Sequence, residues 1–530
     1  MRPRPWSPPE AFTPTEETFV ARLRRRSRFF VFLRQIRHEL LSAELQADLA
    51  ALYQDQVRGQ PPIPPGQLLL ATLLQAYTGV SDADVIEAIV SDRRWQLVLD
   101  CWEAEPAPFS QATLVHFRQR LIAKQLDRRV LEQVIALAET TGKFGRRQLK
   151  LALDSSPLWG AGRVEDTVNL LGTAVRRAVA LVATQQGTTL AAQAAALGLP
   201  ELGGASLKGQ LDLDWTDPEA QAQALRIVLG ALATVEAQVN REATPPSEPV
   251  AAHLAAARQV EAQDVTTTAA GQPVLREGVA ANRRISIADA DQRHGRKSKA
   301  VRFDGYKRHA VRDLEQAGVI RAVAVTPANR PDAEATAAIE ADLAQQAVEV
   351  AEWHVDRAYL ASRLVRDRAD GTVIWCKPFP VHNRAQFPKT AFAFDAAAGQ
   401  LTCPAGVVRP AAAGKTIHFP AERCAGCALR AQCTRSKPGQ GRSLTLHPEE
   451  VLLSALRTAQ ASPEGRAKLR ERVGVEHTEA RLRQVQGETA RYRGLRKQLF
   501  DTRRAATVIN LQTLDSLRHP ASPQPSLSIS

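Results

Sequence analysis

No run of about 18 consecutive apolar residues occurs in this 530-residue chain, and its Ala-rich stretches are broken by Gln, Thr and charges, so no membrane span is expected. The N-terminus, Met1-Arg2-Pro3-Arg4-Pro5-Trp6, leads into no apolar segment of the kind a secretory signal needs, and a cytoplasmic location is expected. Cysteine is too sparse for a disulfide framework: there are six, four of them clustered, which suits metal binding in a reducing cell. Acidic residues are in deficit. Lys and Arg number 69 against 56 Asp and Glu, a net charge of +13 and a pI near 9.8. That excess predicts a polyanionic partner, with nucleic acid the first choice. What remains is ordinary globular material, 44% hydrophobic, long enough for two to four domains.

Residues 1–20 are Pro-rich and polar. A basic, aromatic helix start follows, Arg22-Leu23-Arg24-Arg25-Arg26-Ser27-Arg28-Phe29-Phe30. Residues 37–125 read as several short helices. Ser81 with Asp84, and Ser110 before Ala112–Leu121, have the pattern of helix N-caps. An all-helical unit over 21–140 with one Arg-rich helix fits a helix-turn-helix style DNA-binding or assembly domain. From Arg146 the pattern changes: Leu149, Leu151 and Leu153 alternate as in a strand. Residues 165–280 return to Ala-rich helical sequence, an insertion in which Thr216 or Asp217 can cap a long helix from Glu219 to about Asn240. Lys307–Val311 and Val319–Val325 then flank a Gly-ended loop and predict a β-hairpin. Asp332 is expected to cap an amphipathic helix from Ala333 to Gln346, and Val348–Asp356 is the next strand. Strand, hairpin, helix, strand is the order of an RNase H-like α/β core, here over 146–370. Residues 371–450 form a Cys-rich insertion, 451–518 are helical and basic, and 519–530 are a low-complexity tail.

Three carboxylates carry the chemistry. Asp154 and Asp356 each end a strand-like segment. Arg472, Glu476 and Arg483 stand at i, i+4 and i+11, one face of a helix. A glutamate between two arginines suits a metal ligand flanked by phosphate contacts, and three such acids suggest a two-metal phosphoryl-transfer site. Glu479, one turn on, is the alternative third ligand; the arginine spacing favours Glu476. Lys307 and His309 lie on a strand beside these acids and are candidate DNA contacts. Arg491, Arg493 and Lys497, with Arg496 and Tyr492, form a basic patch containing an aromatic. Cys424 and Cys427 have CxxC spacing, and with Cys403 and Cys433 they can close a tetrahedral zinc site. His418 is a spare ligand, and Cys101 and Cys376 read as core residues.

The chain resembles the DDE transposases of bacterial insertion sequences, most closely the eleven-eighty-two insertion-sequence family with its InsH-type N-terminal domain. The resemblance covers nearly the whole chain. It rests on Pro64-Pro65-Gly66-Gln67-Leu68-Leu69-Leu70, Val80-Ser81-Asp82-Ala83-Asp84 and Pro108-Phe109-Ser110-Gln111-Ala112-Thr113-Leu114 near the N-terminus. In the core it rests on Leu153-Asp154-Ser155-Ser156, Asp304-Gly305-Tyr306-Lys307-Arg308-His309 and Val355-Asp356-Arg357-Ala358-Tyr359. Towards the C-terminus it rests on Val475-Glu476, Arg491-Tyr492-Arg493-Gly494-Leu495 and Val508-Ile509-Asn510-Leu511. Such enzymes often carry Tyr-x2-Arg-x3-Glu-x6-Lys about the third acid; Arg472 and Glu476 fit, Leu469 stands for the tyrosine and Arg483 for the lysine.

The resemblance implies Mg2+ or Mn2+ cofactors, two ions on Asp154, Asp356 and Glu476. It also implies cleavage at terminal inverted repeats with strand transfer into target DNA, a dimer or higher assembly on DNA, and association with the bacterial nucleoid. A zinc-stapled insertion that shapes the DNA ends is compatible with it. A catalytically inactive, domesticated zinc-containing DNA-binding protein and another RNase H-like nuclease are the competing classes.

Overall fold

In the computed structural model, residues 2–24, 27–55, 60–143, 148–204, 206–211, 213–241, 245–437 and 439–519 are described. Arg25 and Arg26 of the basic helix start, Arg146 at the change of pattern, and the tail from residue 520 lie outside them. No described helix is long and apolar enough to cross a membrane.

The N-terminal part is helical: α1 (Pro14–Ala21), α2 (Arg28–Leu40), α3 (Ala43–Ala50), α4 (Pro65–Thr78), α5 (Asp82–Ser91), α6 (Arg93–Leu99), α7 (Gln111–Ala123) and α8 (Leu126–Gly142). Local chemistry sets these boundaries. Ser81 and Asp84 close a reciprocal capping box at α5, Ser110 caps α7, and Gly79 ends α4 at φ +77°, a conformation open to glycine. Several arginines of this helical part are interior, including Arg118 of the Arg-rich helix that suggested a DNA-reading surface. Arg34 forks onto Glu16, Arg37 reaches the carbonyls of Leu97 and Val98, and Arg118 of α7 is buried on Asp82 and Gln75.

Strand β1 (Leu149–Trp159) leads into an all-helical insertion of α9 (Thr167–Gln185), α10 (Leu190–Ala196), α11 (Leu207–Gln210), α12 (Pro218–Arg241) and α13 (Glu248–Asp264). A small ribbon, β2 (Val265–Thr267) and β3 (Pro273–Leu275), follows. Asp217 accepts from the amides of Glu219 and Ala220, as its capping role requires. The insertion has an apolar core of its own, built on Leu170, Val175, Leu225, Val228 and Ala257.

The chain returns to the sheet with β4 (Arg293–Arg296), β5 (Arg302–Asp313), β6 (Ile320–Pro327), α14 (Thr336–Gln345), β7 (Val350–Val355), α15 (Arg363–Arg366) and β8 (Val373–Cys376). The sheet is mixed. Its order is β4-β5-β1-β7-β8, with β6 sharing the β5 edge; β5 runs antiparallel to β1, β4 and β6, while β1, β7 and β8 are parallel. The β5–β6 hairpin turns through Gly318 at φ +74°. Asp332 does not cap α14. A 3-10 turn, Asp332–Ala335, intervenes, and the carboxylate instead accepts from Ser155 and Lys307.

Short strands β9 (Ala393–Asp395), β10 (Gln400–Thr402), β11 (Val408–Pro410), β12 (Thr416–His418) and β13 (Ser443–Thr445), with α16 (Ala421–Ala425) and α17 (Arg430–Cys433), carry the clustered cysteines. Their small core is Phe392, Leu401, Ile417, Phe419 and Leu444. Four helices close the chain: α18 (Glu450–Ala461), α19 (Pro463–Glu471), α20 (Val473–Gln486) and α21 (Leu495–Arg518).

The N-terminal helices share one core with the sheet. Leu70, Leu74, Phe117 and Val134 pack in the same cluster as Ile320 and Val323 of β6 and Val508, Ile509 and Leu511 of α21. The other sheet face, Leu153, Val311, Ala322 and Val355, is covered by Ile339 and Leu343 of α14 and by Leu453 and Leu456 of α18.

Candidate active site

Strand register brings the two aspartates together. In the parallel β1–β7 pair Leu153 stands opposite Val355, so Asp154 and Asp356 follow side by side. Asp356 lies just past the end of β7, but Asp154, expected to end its strand, is inside β1, which continues to Trp159 on its pairing with β5. Asp356 caps the following 3-10 turn through the amide of Arg357 at 2.7 Å. Helix α20 packs on β1 and β5 with Val475, Thr478, Glu479 and Leu482 inward, which leaves Glu476 on its flank, 56% exposed. Arg312 of β5 fixes the start of α20 by donating to the Gly474 carbonyl at 3.0 Å and to Thr478 at 3.1 Å.

Asp154, Asp356 and Glu476 line one open cleft of about 460 Å³ together with Ser155, Ser156, Lys307, Asp332, Glu479 and Arg483. Arg472 joins two of the acids: Nη2 donates to Asp154 Oδ2 at 2.9 Å, and Nη1 lies 3.5 Å from Glu476 Oε1. Burial raises the Asp154 carboxyl above the usual carboxylate range; Arg472 opposes this, and the negative charges of Asp356 and Glu476 add to it. An all-oxygen donor set under mutual repulsion suits a hard divalent cation.

Glu479 is a different kind of acid. It is buried, accepts from Ser156 Oγ at 2.6 Å, and is pushed up to about 8 by burial. Arg308 donates to the same Ser156 oxygen at 2.8 Å and to Gln486 and the Gly487 carbonyl, a buried polar layer under the cleft floor.

The candidate DNA contacts divide. Arg483 lines the cleft, half-exposed. Lys307 lines it too, with its ammonium on Asp332 at 2.5 Å. Arg491, Arg493 and Lys497 are exposed and have no ion-pair partner among the described residues, whereas Arg496 is paired with Asp127. His309 corrects the sequence expectation. It is fully buried, bonded to Tyr359 Oη at 2.8 Å and Thr326 Oγ1 at 3.0 Å, and burial lowers it to about 4, so it is neutral and out of reach of DNA.

Cys403, Cys424, Cys427 and Cys433 line one small apolar pocket, and the other three raise the Cys433 thiol further after burial. Their sulfurs stand wider than a closed ion site. Among the described residues, the metal-ligand trio within 4.8 Å of one another is Glu352, His354 and Glu471, where Lys468 already sits on both glutamates. The four thiols are soft donors, a set compatible with zinc, in a pocket also lined by Arg423, Arg430, Thr434 and Arg442.

The sequence did not disclose Asp332, Arg296, Lys297 and Phe303 as cleft residues. The run Arg296-Lys297-Ser298-Lys299 was a visible signal for two of them; Asp332 was masked by its resemblance to a helix cap.

Residues 403–514 match the family described as a transposase DDE domain, and residues 17–120 match a transposase domain (DUF772). Curated proteins and solved structures give no match. The matched DDE segment indicates an enzyme of the nuclease and transposase class. More particularly, it is a DNA transposase with a DDE domain, a kind of domain that generally uses divalent metal ions. The matched DDE segment contains Arg472, Glu476 and Arg483; Asp154 and Asp356 precede it.

Proposed function

We propose that Asp154, Asp356 and Glu476 are the metal-binding acids of this transposase, on an RNase H-like core, and that the enzyme cleaves at terminal inverted repeats and transfers strands into target DNA. The observation that carries this is the single cleft lined by all three carboxylates with Arg472 between two of them. The eleven-eighty-two type of insertion sequence is the element class it fits. Two Mg2+ or Mn2+ ions held by these acids would activate a water or a 3′-hydroxyl and stabilise the leaving oxygen.

The chain's own residues supply the rest. Arg472 and Arg483 carry fixed charge beside the acids and offer guanidinium forks to non-bridging phosphate oxygens. Lys307 holds Asp332, so this further acid of the cleft wall is neutralised by an ion pair. Glu479, neutral at pH 7, fills the floor through Ser156 without adding negative charge where the phosphate must enter. Arg491, Arg493 and Lys497 give unpaired positive charge for flanking phosphates of double-stranded DNA. The four cysteines, once their sulfurs draw together, would hold a structural zinc that fixes the insertion, and the protein works as a dimer or larger assembly on DNA in the cytoplasm, at the nucleoid.

The test is cleavage of DNA bearing the element's ends with Mg2+ or Mn2+. Asp154→Asn, Asp356→Asn and Glu476→Gln should each remove cleavage and retain DNA binding. Cleavage by Glu476→Gln at the wild-type rate, with loss in Glu479→Gln, would move the third ligand to Glu479.

A further inference from the structure

We propose that the tip of the β4–β5 hairpin and Trp159 together form a binding site for unpaired nucleotides of the DNA strand next to the acidic cleft. The inference rests on the cleft acting on DNA and adds a part of the substrate to it.

Within seven residues the hairpin presents Arg296, Lys297, Lys299 and Arg302, all exposed and none with an ion-pair partner among the described residues. This contrasts with the interior Arg34, Arg118, Arg321 and Arg503, which are paired with carboxylates. The tip is held in shape: the Lys297 amide donates to the Val301 carbonyl at 2.9 Å, and the Val301 amide to Ser298 Oγ at 3.1 Å. Arg296 and Lys297 themselves line the acidic cleft. Unneutralised cations on the wall of an acidic cleft are arranged for an anionic chain that passes from one to the other.

The second observation is aromatic. Trp159, the last residue of β1, is 43% exposed, and Val301 at the hairpin tip is 48% exposed. Trp159 stands edge-to-face on Phe303 at 6.1 Å between ring centres, and Phe303 lines the cleft. Its backbone is clamped from the other side, donating to the Glu488 carbonyl at 2.9 Å and accepting from the Ala490 amide at 2.7 Å. The indole is therefore a supported platform with an open surface, five residues along β1 from Asp154.

A cationic track with an aromatic platform selects a particular ligand. Phosphates satisfy the cations in any DNA, but base faces in a duplex are already stacked on their neighbours. Away from a duplex end, an indole surface can be covered only by a base that has left the stack, and it accepts any base because each has a π-face. Unpaired nucleotides beside the scissile position meet both requirements.

The experiment measures affinity of the full chain, in EDTA, for fluorescein-labelled blunt duplex and for the same duplex with a short single-stranded overhang. Wild type should favour the overhang. Trp159→Leu should erase that preference, a loss of about fivefold for the overhang substrate with the blunt duplex unchanged, and Trp159→Phe should keep most of it. The combined change R296Q, K297Q, K299Q and R302Q should weaken both substrates and flatten the salt dependence. Equal weakening of both substrates by Trp159→Leu, or no effect on the preference, overturns the proposal. Asp154→Asn should keep the preference in this assay, whereas its metal-dependent cleavage reports separately on the catalytic reading.

Discussion

Arg472 and Asp154 form a 2.9 Å charge-assisted hydrogen bond across the mouth of the cleft, and the same guanidinium lies 3.5 Å from Glu476. Without a metal ion, the arginine is the cation that these two acids share. It must hand Asp154 to any divalent ion that binds, and it is then free to meet a phosphate.

Replacing Arg472 should therefore separate metal binding from catalysis. Arg472→Gln removes a positive charge that competes with the ion, so Mn2+ should bind the DNA-free protein about tenfold more tightly, read by calorimetry or electron spin resonance. End cleavage should fall, because the phosphate contact is lost. Unchanged or weaker Mn2+ binding would show that the guanidinium does not compete.

Glu479 sets a pH dependence of its own. Its folded pKa, about 8, lies above the unfolded value of 4.5. Between these values the folded state holds the extra proton, so the contribution to stability is complete below pH 4.5, declines as pH rises, and is gone above pH 8. Glu479→Gln imitates the protonated acid and should flatten stability between pH 5 and 9, gaining a few kcal/mol at the alkaline end. Denaturant unfolding in metal-free buffer across that range is the measurement; a parallel pH profile in the variant would refute it.

His309 works in the opposite direction. Its folded pKa of about 4 lies below the ordinary histidine value of 6.5, so the stability it contributes is present above pH 6.5 and is lost as pH falls towards 4. The loss by pH 4 is about 3 kcal/mol. His309→Gln should flatten that acid limb while leaving DNA affinity and its salt dependence as in wild type. A large drop in DNA affinity with unchanged stability would restore the surface role that burial denies.

The contrast between Asp154 and His309 marks what the sequence could convey. Strand alternation and helix spacing are local, so the capping box at Ser81 and the hairpin turn at Gly318 were legible, and Asp154, Asp356 and the Arg472–Glu476 pair could be singled out as side chains that the fold brings to one cleft. Which strand face is covered is a tertiary fact. Both faces of β5 are packed, Ala310 against the α8 and α21 side and Val311 against α14 and α18, so alternation could not tell that His309 is interior. The same limit hid Asp332, which turns from a helix start into the cleft, and the buried pairing of Arg34, Arg37 and Arg118, which inflates the apparent basic surface.

The shared core makes the last prediction. Sequence divides the helical N-terminus from the catalytic unit, yet ion pairs cross that division. Arg321 of β6 pairs with Glu139 of α8, Arg503 of α21 reaches Asp127 at 3.2 Å, and Arg504 donates to Gln75 at 3.0 Å. Removing residues 1–143 would strip apolar cover from Val508, Ile509 and Leu511 and leave those arginines with missing partners in a low-dielectric interior. Each of these arginines keeps a carboxylate, Asp313, Asp342 and Asp501 respectively, so the larger loss is the apolar cover. The fragment 148–519 should accordingly be insoluble or lack a cooperative thermal transition. In the full chain, calorimetry should find the N-terminal helices and the sheet melting together, while the 167–264 insertion, with its separate core, can melt on its own. A soluble fragment with a sharp transition would mean that α21 is stable without the helices packed on it.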